Sequence, residues 1–262
     1  MRKQFANSPV IGQEIPPSSV INSKEQNRII RYDSEIIYVD HHLGSLLKIL
    51  DQIGIRNSTL VVMTSDHGES LGKHDYVRHD RHLYKAILQV PLIMRFPKKI
   101  FPSRVIKTPV SLLDVAPTIL ELTRLTNQIP PIPTTFSGRS LSGAIQDGEV
   151  LAPHSIRFFT FPVKKGRTPT GLSLFIGLRP STLPLRMGQI NNSYKTIWTP
   201  RNNLISIFDL ARDPSELQPL TVNSKNNKFR KETKDLKVWF KATNLTLANI
   251  KRAKQDELIF SY

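Results

Sequence analysis

Thr59–Thr64 reads TLVVMT and runs directly into Ser65–Glu69, SDHGE. A continuous apolar, β-branched run of this length fits a strand covered on both faces, as in a parallel sheet. It breaks off at a serine, an aspartate, a histidine and a glycine. In open α/β sheets, ligands bind in the crevice beyond the carboxyl ends of the strands. Asp66 and His67 would stand there, with Gly68 letting the backbone turn beside them. A carboxylate and an imidazole presented together suit a divalent metal. The alternative is that Asp66 merely caps a following helix.

Upstream of this strand the apolar positions Ile36, Val39, Leu43, Leu46, Leu47, Leu50 and Ile53 trace a helical face from Asp33, and Gly54 stops it. Residues 1–31, with Pro16–Pro17 and a polar SKEQNR stretch, read as an irregular lead-in. Downstream, a helix-like YKAIL leads to a second buried run, Val90–Phe96. A short third run, Val105–Val110, precedes a helix over about Leu112–Leu125. This alternation predicts an α/β fold with a mostly parallel sheet.

The texture changes after Ile129. PPIPTTFSGRSL is loop-like, and short strand candidates follow at Ile156–Phe161, Leu172–Leu178, Leu183–Met187, Tyr194–Trp198 and Leu204–Leu210. Their spacing predicts a smaller antiparallel sheet. A basic amphipathic helix bearing Leu236, Trp239, Phe240 and Leu247 closes the chain. The domain reading is therefore a lead-in at 1–31, an α/β portion at 32–145 and a C-terminal subdomain at 146–262.

Composition narrows the chemistry. The 262 residues carry 37 Lys and Arg against 21 Asp and Glu, a formal +16, and no Cys. That leaves no disulfide framework, thiolate metal site or Cys nucleophile, and no Cys to be oxidised to an aldehyde cofactor. The basic excess is spread along the chain without the basic and aromatic clusters of a nucleic-acid groove, so no nucleic-acid partner is expected. No stretch approaches the ~18 apolar residues of a membrane span, and the N-terminus lacks the apolar core of a signal peptide. No membrane partner is expected, and the compartment stays open. Six of the seven His lie between positions 41 and 82. His41 and His42 fall within the helix, and His74, His79 and His82 are interleaved with Lys73, Arg78 and Arg81.

Six segments occur in order: Tyr32–His74, ending in SDHGESLGKH; Val110–Leu122, VSLLDVAPTILEL; and, around these, His79–Pro97 (HDRHLYKAILQVPLIMRFP), Phe136–Ile145 (FSGRSLSGAI), Ser193–Trp198 (SYKTIW) and Ile207–Leu217 (IFDLARDPSEL). Together they resemble the sulfatase family of the alkaline phosphatase superfamily, over about residues 32–220. The resemblance implies hydrolysis of sulfuric esters on a partial alkaline-phosphatase-like sheet. It implies that Asp66 and His67 are the late pair of metal ligands, for calcium, with manganese or zinc as softer alternatives. It implies that His79 holds the position whose basic side chain contacts the sulfate of a sulfate-ester substrate. The family's aspartate pair and its cysteine–x–proline–serine–arginine segment, source of the formylglycine nucleophile, have no counterpart upstream of Tyr32. Ile100–Arg104 (IFPSR) shares only the last three residues of that segment, lies downstream, and offers no nucleophile. The expectation is a sulfatase portion without formylglycine, with little activity alone and a separate N-terminal half as a partner. A phosphodiesterase or phosphonate monoester hydrolase of the same superfamily, or a non-catalytic polyanion-binding remnant, are the rivals.

Overall fold

A computed structural model describes residues 23–79, 81–125, 137–160, 186–200, 202–220, 229–230 and 233–242. These fall into two compact units. One spans the chain up to Arg78, Val90–Ile106 and Leu112–Val150; the other holds His79–Gln89, Lys107–Ser111 and the chain from Leu151 onward.

The first unit opens with a long helix α1, Ser23–Gln52. It begins inside the stretch expected to be an irregular lead-in, because Lys24, Glu25, Gln26 and Arg28 are good helix formers and Ile29, buried, gives that turn an apolar anchor. Gly54 ends it as expected: at φ +75° its N–H donates to the Asp51 carbonyl and that of Ile55 to the Leu50 carbonyl, both at 3.1 Å, a left-handed cap suited to glycine.

Strand β1, Val61–Thr64, pairs with β2, Leu92–Arg95. The pair is antiparallel, with Val61 opposite Arg95 and Thr64 opposite Leu92. The fold class is α/β as expected, but the parallel direction inferred for these two runs is corrected. An apolar run reports burial and not direction, and here the chain reverses between β1 and β2. The run Val105–Val110 forms no strand. Pro109 lacks a backbone donor, and Val105 is 77% exposed.

A 3-10 turn, Leu112–Asp114, leads into α3, Val115–Thr123, and α4 is Ser142–Gln146; α2, Lys85–Leu88, belongs to the second unit. Asp114 is buried and ties the segments together. Its Oδ1 accepts the Arg139 N–H at 2.9 Å, its carbonyl accepts the Thr118 hydroxyl at 2.5 Å, and Thr118 Oγ1 accepts the Leu141 N–H at 2.9 Å. Gly138 is required at this crossing, since a Cβ there would lie 2.1 Å from the Leu113 carbonyl oxygen.

The second unit is built on an antiparallel meander, β3 (Ile156–Thr160), β4 (Arg186–Asn191), β5 (Tyr194–Thr199) and β6 (Leu204–Asp209), in that order across the sheet. Three of the five expected strands are accounted for in this way; the expected Leu183–Met187 meets β4 only at residues 186–187, the strand running on to Asn191, and residues 161 and 183–185 lie outside the described residues. The expected strand Leu172–Leu178 and Leu247 of the last helix also lie outside them. On one face Met187, Trp198 and Ile205 meet Leu236, Trp239 and Phe240 of the terminal helix α5, residues 233–242. On the other face Phe158, Ile197 and Phe208 meet Leu83, Tyr84 and Leu88, which flank or lie in α2, Lys85–Leu88. Both faces of the sheet are thus covered, and each fully buried large apolar side chain contributes about 1.5–3 kcal/mol. The Phe158 ring lies across Gly188, where a Cβ would stand 2.3 Å from it.

Candidate metal centre and anion-contact segment

Strand β1 delivers Asp66 and His67 into a turn fixed by short-range hydrogen bonds. Thr64 Oγ1 donates to the Pro91 carbonyl at 2.8 Å, pinning the end of the strand pair. Ser65 Oγ donates to the His67 carbonyl at 2.8 Å, and the His67 N–H donates to Asp66 Oδ1 at 2.9 Å. No helix starts at Asp66, so its carboxylate is not a helix cap.

His67 Nδ1 lies 2.9 Å from the Gly68 carbonyl oxygen. A carbonyl only accepts, so Nδ1 carries the proton, and a neutral ring then presents the Nε2 lone pair. Nε2 stands 3.7 Å from Asp66 Oδ2. Two electron-pair donors face one another, with the imidazole oriented through its other nitrogen, as metal-ligating histidines are. Both side chains are open to solvent, Asp66 at 86% and His67 at 43%. At that exposure a simple ion pair contributes little to stability, so packing does not explain the arrangement. The donor set fits a divalent cation. Among the described residues no group of three or more His, Asp or Glu could hold one, so Asp66 and His67 stand there as two donors only.

The turn after this pair is strained. Leu71, His74 and Asp75 adopt φ between +51° and +57°, beside Gly72 at +102°. Each such non-glycine costs about 1–2 kcal/mol. The loop is held by the buried Ser70, whose hydroxyl donates to the Lys73 carbonyl at 2.8 Å, and by the Gly72 N–H bond to Tyr76 at 2.9 Å. Strain of this kind gathers at functional sites. His74 lies in this loop; His41 and His42 are exposed on α1.

His79 belongs to the second unit and is exposed. The segment it begins is anchored from below. Leu83 and Ile87 are buried, Tyr84 meets the Phe208 ring edge-on at 6.0 Å, and His82 stacks on Tyr84 at 5.4 Å. The Arg186 guanidinium donates to the Arg81 carbonyl.

Two residues in this unit were quoted in the sequence motifs but given no role: Lys195 of SYKTIW and Glu216 of IFDLARDPSEL. They form a buried pair, Lys195 Nζ to Glu216 Oε1 at 2.8 Å, with 1% and 2% of the side chains exposed. Burial pulls the Lys195 ammonium below its ordinary value, opposed by the Glu216 charge and hydrogen bond. A lysine sharing the inward face of a strand with Ile197 was the available signal.

The sulfatase family model matches residues 9–125. An endo-4-O-sulfatase of Bacteroides thetaiotaomicron is 31% identical over 151 residues, 57% of this chain and 29% of that protein. Residues 9–125 of the chain belong to the sulfatase family. The chain spans about a third of the length of the curated relatives it matches. Its fold is that of a Bacteroides thetaiotaomicron protein solved in connection with glycosaminoglycan metabolism, with a TM-score of 0.67 and 24% identity over 89% of this chain and 46% of the other. It is also that of the phosphonate monoester hydrolase of Agrobacterium radiobacter, with a TM-score of 0.61 and 23% identity over 83% of this chain and 41% of the other.

Proposed function

We propose that these residues form part of a metal-dependent sulfuric ester hydrolase. The observation that carries this is the Asp66–His67 pair, a carboxylate and an oriented imidazole facing one another at the end of β1 in a sulfatase-family chain. Asp66 and His67 would hold a divalent cation, calcium by family likeness, with manganese or zinc as the imidazole-tolerant alternatives. Such a cation neutralises developing charge on the ester's nonbridging oxygens. His79 would donate a hydrogen bond to one of those oxygens from its exposed position.

The 262 residues contain no Cys, so a Cys-derived formylglycine nucleophile must be supplied by residues outside them. The exposed apolar side chains of α1, among them Ile36, Val39, Leu46 and Ile53, support the same reading. This stripe would be covered by the sulfatase portion carrying the paired aspartates and the nucleophile, on the same polypeptide or a separate one.

The test is hydrolysis of an aryl sulfate and of an aryl phosphonate monoester by this chain, alone and co-expressed with such a portion. The chain alone should not turn over. The complemented protein should cleave the sulfate in preference to the phosphonate, and Asp66→Ala should cut that rate by more than about a hundredfold. Preference for the phosphonate would favour the hydrolase with which the fold is shared. Robust turnover by the chain alone would contradict the reading of the nucleophile.

A further inference from the structure

The segment that carries His79 is fastened by more than one polar bond: the Arg186 guanidinium donates to the Arg81 carbonyl, and a second bond reaches the start of α2. Helix α2 has Tyr84 at its N-cap, and no side-chain hydrogen bond from Tyr84 caps it. The Lys85 N–H instead donates to Glu216 Oε2 at 2.9 Å, across 131 positions of sequence. The same carboxylate takes Lys195 Nζ on both oxygens, at 2.8 and 2.9 Å, and that ammonium lies 5.5 Å from the Phe158 ring centroid. Glu216 reaches this position from a left-handed backbone, φ +59°. Asp213 maintains it, its carbonyl accepting the Glu216 N–H at 3.1 Å and its carboxylate the Leu217 and Gln218 N–H groups at 3.0 and 2.8 Å. A buried ion pair is weak evidence for stability, because desolvation offsets most of the Coulomb attraction. A strained residue held by its neighbours and joined to one is a positioning device.

We propose that Glu216, with Lys195 as its buried counter-ion, is a positioning residue for the anion contact. It caps the start of α2 and thereby sets where His79 stands. The C-terminal sheet is then part of the substrate-binding apparatus and not an appendage. The apolar contacts of Leu83 and Ile87 hold the segment down but are non-directional; the Lys85 N–H bond to Glu216 fixes its register at the α2 end, as the Arg186 bond does at Arg81. This rests on the reading of His79 as the residue that meets the sulfate.

Two double variants isolate the cap from the charge. Lys195→Met with Glu216→Gln removes both buried charges and keeps an oxygen able to accept the Lys85 N–H. Lys195→Met with Glu216→Leu removes the charges and the acceptor together. The probe is inorganic sulfate, titrated into the full chain while the His79 ring is followed by NMR, with hydrogen exchange at the Lys85 amide as a second readout. The Gln variant should bind sulfate within about twofold of the parent, and the Leu variant about fivefold more weakly at equal folded fraction, as expected for one lost cap, with faster exchange at Lys85. Equal sulfate affinity in the two variants, with His79→Ala abolishing binding in the parent, would overturn the positioning role alone. If His79→Ala leaves sulfate binding of the parent unchanged, the reading of His79 fails and the positioning role fails with it. A difference in Lys85 exchange would then report only a structural cap.

Discussion

The two units treat their apolar residues in opposite ways. In the C-terminal unit Met187, Ile197, Trp198, Ile207, Phe208 and Leu236 are all buried, with α5 on one face of the meander and the α2 segment on the other. In the first unit α1 leaves Ile30, Ile36, Val39, Leu46, Ile49 and Ile53 exposed, and Ile93 of β2 is 56% exposed. Several exposed apolar side chains along one helix mark an interaction surface. The unit that holds His79 has both faces of its sheet covered, whereas the strand that delivers Asp66 and His67 belongs to a unit whose long helix leaves apolar side chains exposed.

That contrast can be broken by substitution. Lys195→Met alone should cost about 3–5 kcal/mol in denaturant unfolding, because Glu216 stays buried without its counter-ion. Phe208→Ala should cost a similar amount, about 3–5 kcal/mol, by opening a cavity in the closed core; a loss below 1 kcal/mol in the same melts would mean that the core is not the support described. Gly188→Ala drives a Cβ into the Phe158 ring and should cost about 1–3 kcal/mol. Leu46→Ala on the open stripe should change the stability of this chain by less than about 0.5 kcal/mol, yet weaken its association with the rest of a sulfatase domain in a pull-down. A large stability loss there would show that α1 is already packed.

A finer effect comes from pH. Burial holds the folded-state pKa of Lys195 below its ordinary 10.5, so in the window between the two values the unfolded chain binds the extra proton. Stability then rises with pH across that window. The parent should gain on the Lys195→Met, Glu216→Gln variant as pH increases towards 10.5 in thermal melts. A flat or falling difference would mean that the ammonium is not held in a desolvated site.

Much of this was legible in the sequence because local chemistry carried it. The strand ending in Asp66–His67, the stop at Gly54, the meander and the apolar side of the last helix each follow from residue periodicity or a glycine. Strand direction was not legible, since Val61–Thr64 and Leu92–Arg95 look alike in either orientation. The start of α1 was not legible from hydrophobic periodicity because SKEQNR is polar throughout and only its helix propensity marks it. Asp66 and His67 are neighbours in sequence, whereas Lys195 and Glu216 meet only through the fold, 21 positions apart, and neither motif announces the other. The Asp114 network is equally non-local, joining α3 to Arg139 and Leu141.

The most direct test of the central claim is a manganese titration of the 262-residue chain followed by NMR of its seven histidine rings, with calcium as the competitor. The account predicts that the His67 ring is broadened first, that calcium reverses the broadening, and that Asp66→Ala removes it while His154 stays unaffected throughout. Broadening that spares His67, or that survives Asp66→Ala unchanged, would contradict it.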